Sequence, residues 1–157
     1  MTTKEIEFAI FKRLKKLGTY LSFEVAMPST KEKYAHRERV DLLSYDTSGI
    51  WRFYEIKCSV SDFRSKCKKT FFGNYNYFVL PEGLYEKVKQ EIPPEIGVYI
   101  VKDLTNCYKC ECVKKAKKKE LIKFTSEQLI FSMMQSLSRE FDKNKFKEMR
   151  KSGFLYL

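Results

Sequence analysis

Apolar positions recur along residues 3 to 17 at Ile6, Ile10, Leu14 and Leu17, with lysines between them. That spacing places one apolar stripe on a helix, and Gly18 is positioned to serve as its C-cap. The period then changes. The runs "YLSFEVAM", "RVDLLSY" and "IWRFYEIKC" are short and rich in β-branched and aromatic residues, which predicts three strands. A polar loop from Pro28 to about Glu38 separates the first two, and the turn "DTSG" separates the second from the third. "SVSDFRSKCKKTFF" predicts a second helix with Ser59 or Ser61 as N-cap, and "NYNYFVL" a fourth strand. "GLYEKVKQEI" predicts a short helix stopped by Pro93 and Pro94, followed by strands at "GVYIV" and "CYKCECVKK". Leu129, Met133, Leu137 and Phe141 stand at helical spacing in residues 125–142, which predicts a last helix with this stripe on the core.

A helix, three strands, a helix and a strand in that order predict an α/β fold, a mixed central sheet flanked by helices. The 157 residues suit one domain, 1–157, with a basic helical C-terminal extension at about 125–157. No internal repeat and no linker rich in Gly or Ser divides the chain. No apolar run reaches the length of a membrane span, and "MTTKEIEFAIFKRLKK" lacks the apolar core of a signal peptide, so a cytoplasmic location is expected.

Charge adds a partner to this picture. The net charge is +11, and the excess is clustered at Lys12, Arg13, Lys15 and Lys16, at Lys66, Lys68 and Lys69, and at Lys114, Lys115, Lys117, Lys118 and Lys119. Such clusters make a positive field for which nucleic acid is the leading polyanion, although acidic lipid or mere solubility is served by the same charge. The five cysteines are an odd number, which fits reduced thiols better than a disulfide framework. Cys107, Cys110 and Cys112 have a spacing that zinc uses. A closed zinc site needs a fourth ligand, and with no second CxxC and with His36 as the only histidine, a strand carrying small thiols is the simpler reading.

The hairpin gives the sharpest expectation. If Thr47, Ser48 and Gly49 form a three-residue loop with Gly49 left-handed, Asp46 pairs with Ile50 and Asp41 lies opposite Glu55. A two-residue loop would shift the register and send Asp41 to the other face. Glu55 and Lys57 share a face because strand side chains alternate. Opposed carboxylates repel, so a bound cation is their most economical explanation, and a hard divalent ion takes carboxylate oxygens and bridges to phosphates. An ammonium beside such a pair stabilises charge building on phosphate oxygens. Asp41, Glu55 and Lys57 thus make a phosphodiester-cleaving constellation, against the plainer alternative of an alternating charged strand face.

The segment "VDLLSYDTSGIWRFYEIKCSVSDF", residues 40 to 63, within this order of elements resembles the PD-(D/E)XK nuclease superfamily, whose restriction-endonuclease-like core runs αβββαβ. Val40 stands where the family's name has a proline, a position that varies in the superfamily. "EIKCSVSDFRSKCKKTFFGNYNYFVLPEGL" looks most like the MmcB-like DNA-repair nucleases and related phage proteins. The resemblance spans roughly residues 3 to 101. It implies that Asp41, Glu55 and the backbone carbonyl of Ile56 bind Mg2+ or Mn2+, while Lys57 orients the attacking water or stabilises the transition state. It also implies a further glutamate on the first helix, Glu7, with Glu5 as runner-up; either glutamate also suits a helix N-terminus through the dipole. Ser59 and Asp62 line the site or cap the second helix. Arg37, Arg39, Lys68 and Lys69 are the candidates for holding nucleic acid, and an exposed basic strand end accounts for the two arginines equally well. The implied activity is a metal-dependent DNA nuclease, most simply an endonuclease in repair, recombination or phage DNA processing, with a homodimer expected for two-strand cutting. The alternatives are an RNA nuclease and a nucleic-acid-binding module without turnover on the same fold. Trp51, Tyr75 and Tyr77 are assigned to packing rather than base stacking.

Overall fold

The computed structural model describes residues 1–28, 38–65, 70–105 and 107–153. Arg37, Lys68, Lys69 and His36 lie outside the described residues. The element order is α1 (Thr3–Leu14), β1 (Thr19–Ala26), β2 (Arg39–Asp46), β3 (Trp51–Ile56), α2 (Val60–Phe63), β4 (Tyr75–Pro81), α3 (Glu82–Val88), a single 3-10 turn (Lys89–Glu91), β5 (Gly97–Asp103), β6 (Tyr108–Lys114) and α4 (Ser126–Lys151). The strands form one six-stranded sheet in sequence order, antiparallel except for the parallel pairs β3 with β4 and β4 with β5. Elements α1 to β4 run αβββαβ, the α/β arrangement expected from the sequence.

Two layers of helix cover the sheet. On one face, Ile6, Ala9 and Ile10 of α1 bury against Leu42, Tyr54, Ile56, Tyr77, Val79 and Val101. The other face carries two clusters. Leu129 and Met133 of α4 pack with Val25, Val40, Leu43, Trp51 and Phe53. Phe63 of α2 and Leu84 and Val88 of α3 pack with Phe78, Leu80, Val98 and Ile100. Trp51 is fully buried and Tyr77 nearly so, stacked on Tyr54 at 5.4 Å, so both serve packing.

Three expectations need correction. Helix α1 stops at Leu14, where the Lys15 N–H reaches back to the Phe11 carbonyl at 2.9 Å, so Gly18 is not its cap and Leu17 projects into solvent. Gly18 instead takes the left-handed φ of 76° in the turn before β1, where its carbonyl accepts the Thr47 N–H of the hairpin loop at 3.0 Å. The second helix is the single turn Val60–Phe63 and does not extend to Phe72, because Thr70 leaves helical geometry to bond a buried side chain described below. In α4 only the first half of the expected stripe is buried: Leu129 is 0% exposed and Met133 6%, but Leu137 is 46% and Phe141 61%. The reason is length. Its 26 residues span roughly 39 Å, whereas the eight residues of β1, the strand it crosses, span about 26 Å, so the helix outruns the sheet.

The hairpin has the expected register. Leu42 pairs with Tyr54 and Tyr45 with Trp51, Gly49 has a φ of 80°, and the Asp46 N–H meets the Ile50 carbonyl at 3.2 Å. Asp46 fixes the turn with its carboxylate, accepting from Ser48 N at 3.0 Å and Ile50 N at 3.3 Å and pairing with Arg52 at 2.5 Å. Burial works against its ionisation, but these bonds win and hold its carboxyl down to about 2.

Gly97 opens β5 beneath a ring. A Cβ there would lie 2.3 and 2.4 Å from two carbons of the Tyr77 ring and 2.6 Å from the Ala116 nitrogen. Since neither the stacked ring nor the backbone can retreat freely, Gly97→Ala is expected to cost about 1–3 kcal/mol. Urea unfolding checks this, and an unchanged midpoint would contradict the packing described here.

Candidate active site

The site forms where the sheet changes its own rules. In β1, Leu21 and Phe23 pack toward α1, but Val25 and Met27 face α4, although residues two apart on a regular strand share a face. In β2, Val40 faces α4 and Leu42 faces α1, the same inversion. The inversions fall at Glu24 and Asp41, which stand opposite each other between the pairs Phe23 with Leu42 and Val25 with Val40. Glu24 accomplishes the turnover with a left-handed φ of 53°, a conformation that costs a non-glycine residue about 1–2 kcal/mol. Nothing in the local sequence announces it, since the residue types on either side are ordinary strand formers.

At this step the β2–β3 ladder ends, its last pair being Leu42 with Tyr54. Asp41 therefore does not simply lie across from Glu55 on a common face, as a continued ladder would require. Its side chain turns toward β3, and Asp41 Oδ2 accepts the Ile56 N–H at 2.8 Å, taking the place a backbone carbonyl would have had. The Lys57 N–H points the other way, to the Val79 carbonyl of β4 at 3.1 Å. Because backbone groups alternate direction along a strand, the Ile56 carbonyl lies on the same side as its N–H, toward Asp41.

Glu55 is 4% exposed and held from one side. Its Oε1 accepts the Thr70 N–H at 3.0 Å and the Thr70 hydroxyl. Thr70 is thus a positioning residue that sequence reading did not find, because its reach to Glu55 depends on the chain leaving α2 early. The other oxygen, Oε2, lies 3.8 Å from Lys57 Nζ, and Lys57 is itself 3.6 Å from Asp62 Oδ1. Asp62 is fixed by the Cys58 N–H at 3.2 Å, and Ser59 caps α2 by accepting the Asp62 N–H at 3.1 Å. Ser59 accordingly serves the helix, whereas Asp62 reaches the lysine.

Burial, and next the Glu55 carboxylate, push the Asp41 carboxyl up from its ordinary 3.8 to about 6, against the Ile56 N–H and the Lys57 ammonium. Glu24 adds to the rise. Glu7 on α1 is also raised, by burial and then by Glu24, so a row of acids runs Glu7, Glu24, Asp41, Glu55, with Glu24 as the link. Glu24 was absent from the sequence-derived set. Glu5 goes elsewhere: it closes the capping box of α1 on Thr2, and the Tyr108 hydroxyl holds its carboxyl low. Arg39 pairs with Glu24 at 3.1 Å on the exposed rim.

Among the described residues, no three His, Cys, Asp or Glu side chains converge closely enough to hold a metal by themselves. Two carboxylates and a carbonyl on one side of β3 nonetheless suit a hard cation that keeps several waters. Asp41 also has one carboxylate oxygen without a hydrogen-bond partner among the described residues, which fits that donor set. Of the cysteines, Cys110 is buried on the α1 side, Cys112 is half-buried beside it and Cys107 is exposed before β6. In the basic run, Lys119 bonds the Phe71 carbonyl at 2.5 Å and Lys114 the Pro93 carbonyl at 2.7 Å, so part of that charge ties loops to the body.

The raised Asp41 carboxyl has a definite sign. The folded chain keeps its proton up to about pH 6 while the unfolded chain releases it near 3.8, so stability is lost as pH rises between these values. In EDTA, the native chain is expected to lose roughly 2 kcal/mol relative to Asp41→Asn between pH 4 and pH 7, read by urea unfolding. Parallel pH curves for the two chains would show that Asp41 is not held this way.

No protein-family model matches this chain, and no curated protein matches it. Among solved structures it is similar to SPO1766, a protein of unknown function from Silicibacter pomeroyi, with 18% sequence identity, 94% of each chain covered and a TM-score of 0.72. The likeness is one of fold, a six-stranded mixed sheet flanked by helices over nearly the whole chain.

Proposed function

We propose that this protein is a Mg2+- or Mn2+-dependent nuclease that hydrolyses phosphodiester bonds in DNA. The observation that supports this reading is the fork at the end of the β2–β3 ladder, where Asp41 and Glu55 are held together beside the Lys57 ammonium. Setting two acids against each other costs a sheet stability unless a cation lies between them.

Asp41 and Glu55, with the Ile56 carbonyl, would hold the metal. When bound, it supplies Lewis-acid stabilisation to a phosphodiester and acidifies water. The protein's own contribution is positional. Thr70 and the Ile56 amide restrain one oxygen of each acid, so the carboxylates do not need to reorganise as charge develops. Lys57 is 12% exposed at its side chain and suspended between Glu55 and Asp62, so its ammonium is restrained on the Glu55 face. From there it stabilises negative charge on the phosphate oxygens or orients the attacking water. Glu7 and Glu24 extend the acidic row toward α1 and raise the demand for a cation. Arg39 on the rim, together with Arg37, Lys68 and Lys69, is the part of this reading that concerns holding the strand.

Labelled duplex, single-stranded, flap and junction DNAs, with RNA controls, test the proposal in Mg2+, Mn2+ or EDTA. Metal-dependent cleavage of DNA is expected, falling roughly 10²-fold or more in Glu55→Gln and in Lys57→Ala. Salt-sensitive binding with no cleavage in any metal would assign the fold to a binding module instead, and cleavage of RNA alone would move the substrate. Thr70→Val should lower the rate while leaving the fold intact by circular dichroism, because it removes the hydroxyl bond to the Glu55 carboxylate and leaves only the backbone N–H to hold it. A rate equal to that of the native chain would exclude this positioning role.

A further inference from the structure

A polar cavity lies on the face of the sheet opposite Glu55 and toward the other end of β3. It has a volume of about 280 Å³ and sits under the C-terminal end of α1, lined by Arg13, Lys16, Thr19, Arg52, Tyr54 and Tyr99. Arg52 and Glu55 are three positions apart, about 10 Å along the strand, and their side chains leave the sheet on opposite faces. The cavity is therefore separate from the acidic fork, and the inference drawn from it does not rest on the nuclease reading.

Its chemistry is the reverse of the fork's. Arg52 is paired with Asp46. Arg13 and Lys16 meet no carboxylate among the described residues, which leaves two positive charges uncompensated at the mouth. Thr19 Oγ1 is buried with no hydrogen-bond partner among the described residues, and the Tyr54 hydroxyl, equally buried, has only the Ser44 side chain beside it. A buried hydroxyl without a partner is costly, and Thr19 lines this space. Burial pushes the Tyr99 phenol up to about 12 and the Tyr54 phenol further, so both carry their protons at neutral pH and can donate. The half-buried Tyr99 ring, packed 6.0 Å from that of Tyr54 between centroids, gives the wall an apolar surface.

From these groups we infer that the cavity binds a small phosphate monoester of about mononucleotide size. A phosphate monoester carries a charge of about −1.5 to −2 at pH 7, which matches the two unpaired cations, and its oxygens accept hydrogen bonds from donors of the lining. The volume is close to the lower end of small-molecule pockets, roughly 300 Å³, and so accommodates more than a lone ion. Free mononucleotide and the terminal phosphate of a strand present this same group.

Isothermal titration in EDTA, which removes any contribution from a metal at the acidic fork, provides the test. The probes are thymidine 5′-monophosphate, thymidine, inorganic phosphate, and a short oligonucleotide with or without a 5′-phosphate. Thymidine 5′-monophosphate is expected to bind and thymidine not. The Arg13→Gln/Lys16→Gln double variant, both positions being solvent-exposed, should stay folded by circular dichroism and bind about tenfold more weakly or worse. Tyr99→Phe should weaken binding in the same direction. A preference for the phosphorylated oligonucleotide over free mononucleotide would identify a strand end as the source, and the reverse preference a free nucleotide. No heat with any phosphate, or equal affinity in the double variant, would overturn the inference.

Discussion

The hydrogen bond from the Ile56 amide to the Asp41 carboxylate, 2.8 Å long, closes the sheet at the point where the β2–β3 ladder stops. Without it, the Ile56 N–H would be left unpaired between strands, and a buried unpaired amide costs about 1–3 kcal/mol. With it, an acid is drawn into the plane of the sheet beside a second acid, Glu55, that is already buried. The fold thus satisfies a backbone donor by accepting an electrostatic conflict. That exchange fixes the position of both carboxylates more firmly than surface acids could be fixed.

The surrounding structure serves this arrangement from several directions. Glu24 turns β1 over so that β2 can turn with it, and the paired inversions let Val25 and Val40 reach α4 while Phe23 and Leu42 reach α1. The chain leaves α2 after one turn and brings Thr70 to Glu55. Lys57 balances part of the negative charge from the open side, itself steadied by Asp62. Left-handed backbone at a non-glycine residue is stored strain, and strain of this kind collects at functional sites. Here it stands opposite Asp41, whose carboxyl is pushed up to about 6.

Much of this was legible in the sequence for a physical reason. The hairpin register followed from a single glycine, because a left-handed Gly49 admits a three-residue loop and the loop then counts Asp41 to Glu55. The strands and the α1 stripe through Leu14 followed from side-chain period. What escaped was whatever broke that period. Glu24 is an ordinary residue in an extraordinary conformation, so parity counting placed Asp41 on a face when it lies in the sheet plane. Thr70 acts through a long-range contact that no local pattern encodes. Leu137 and Phe141 continue a helical stripe beyond the end of the surface it packs on, and spacing alone does not report where a sheet ends.

The central claim is that Asp41 and Glu55 together form a divalent-cation site, and the most direct measurement is Mn2+ binding followed by electron paramagnetic resonance at neutral pH. The account predicts stoichiometric binding to the native chain, displaced by excess Mg2+, and loss of about tenfold or more in affinity in both Asp41→Asn and Glu55→Gln, each shown to be folded. Binding that survives both substitutions, or no binding by the native chain, would contradict it.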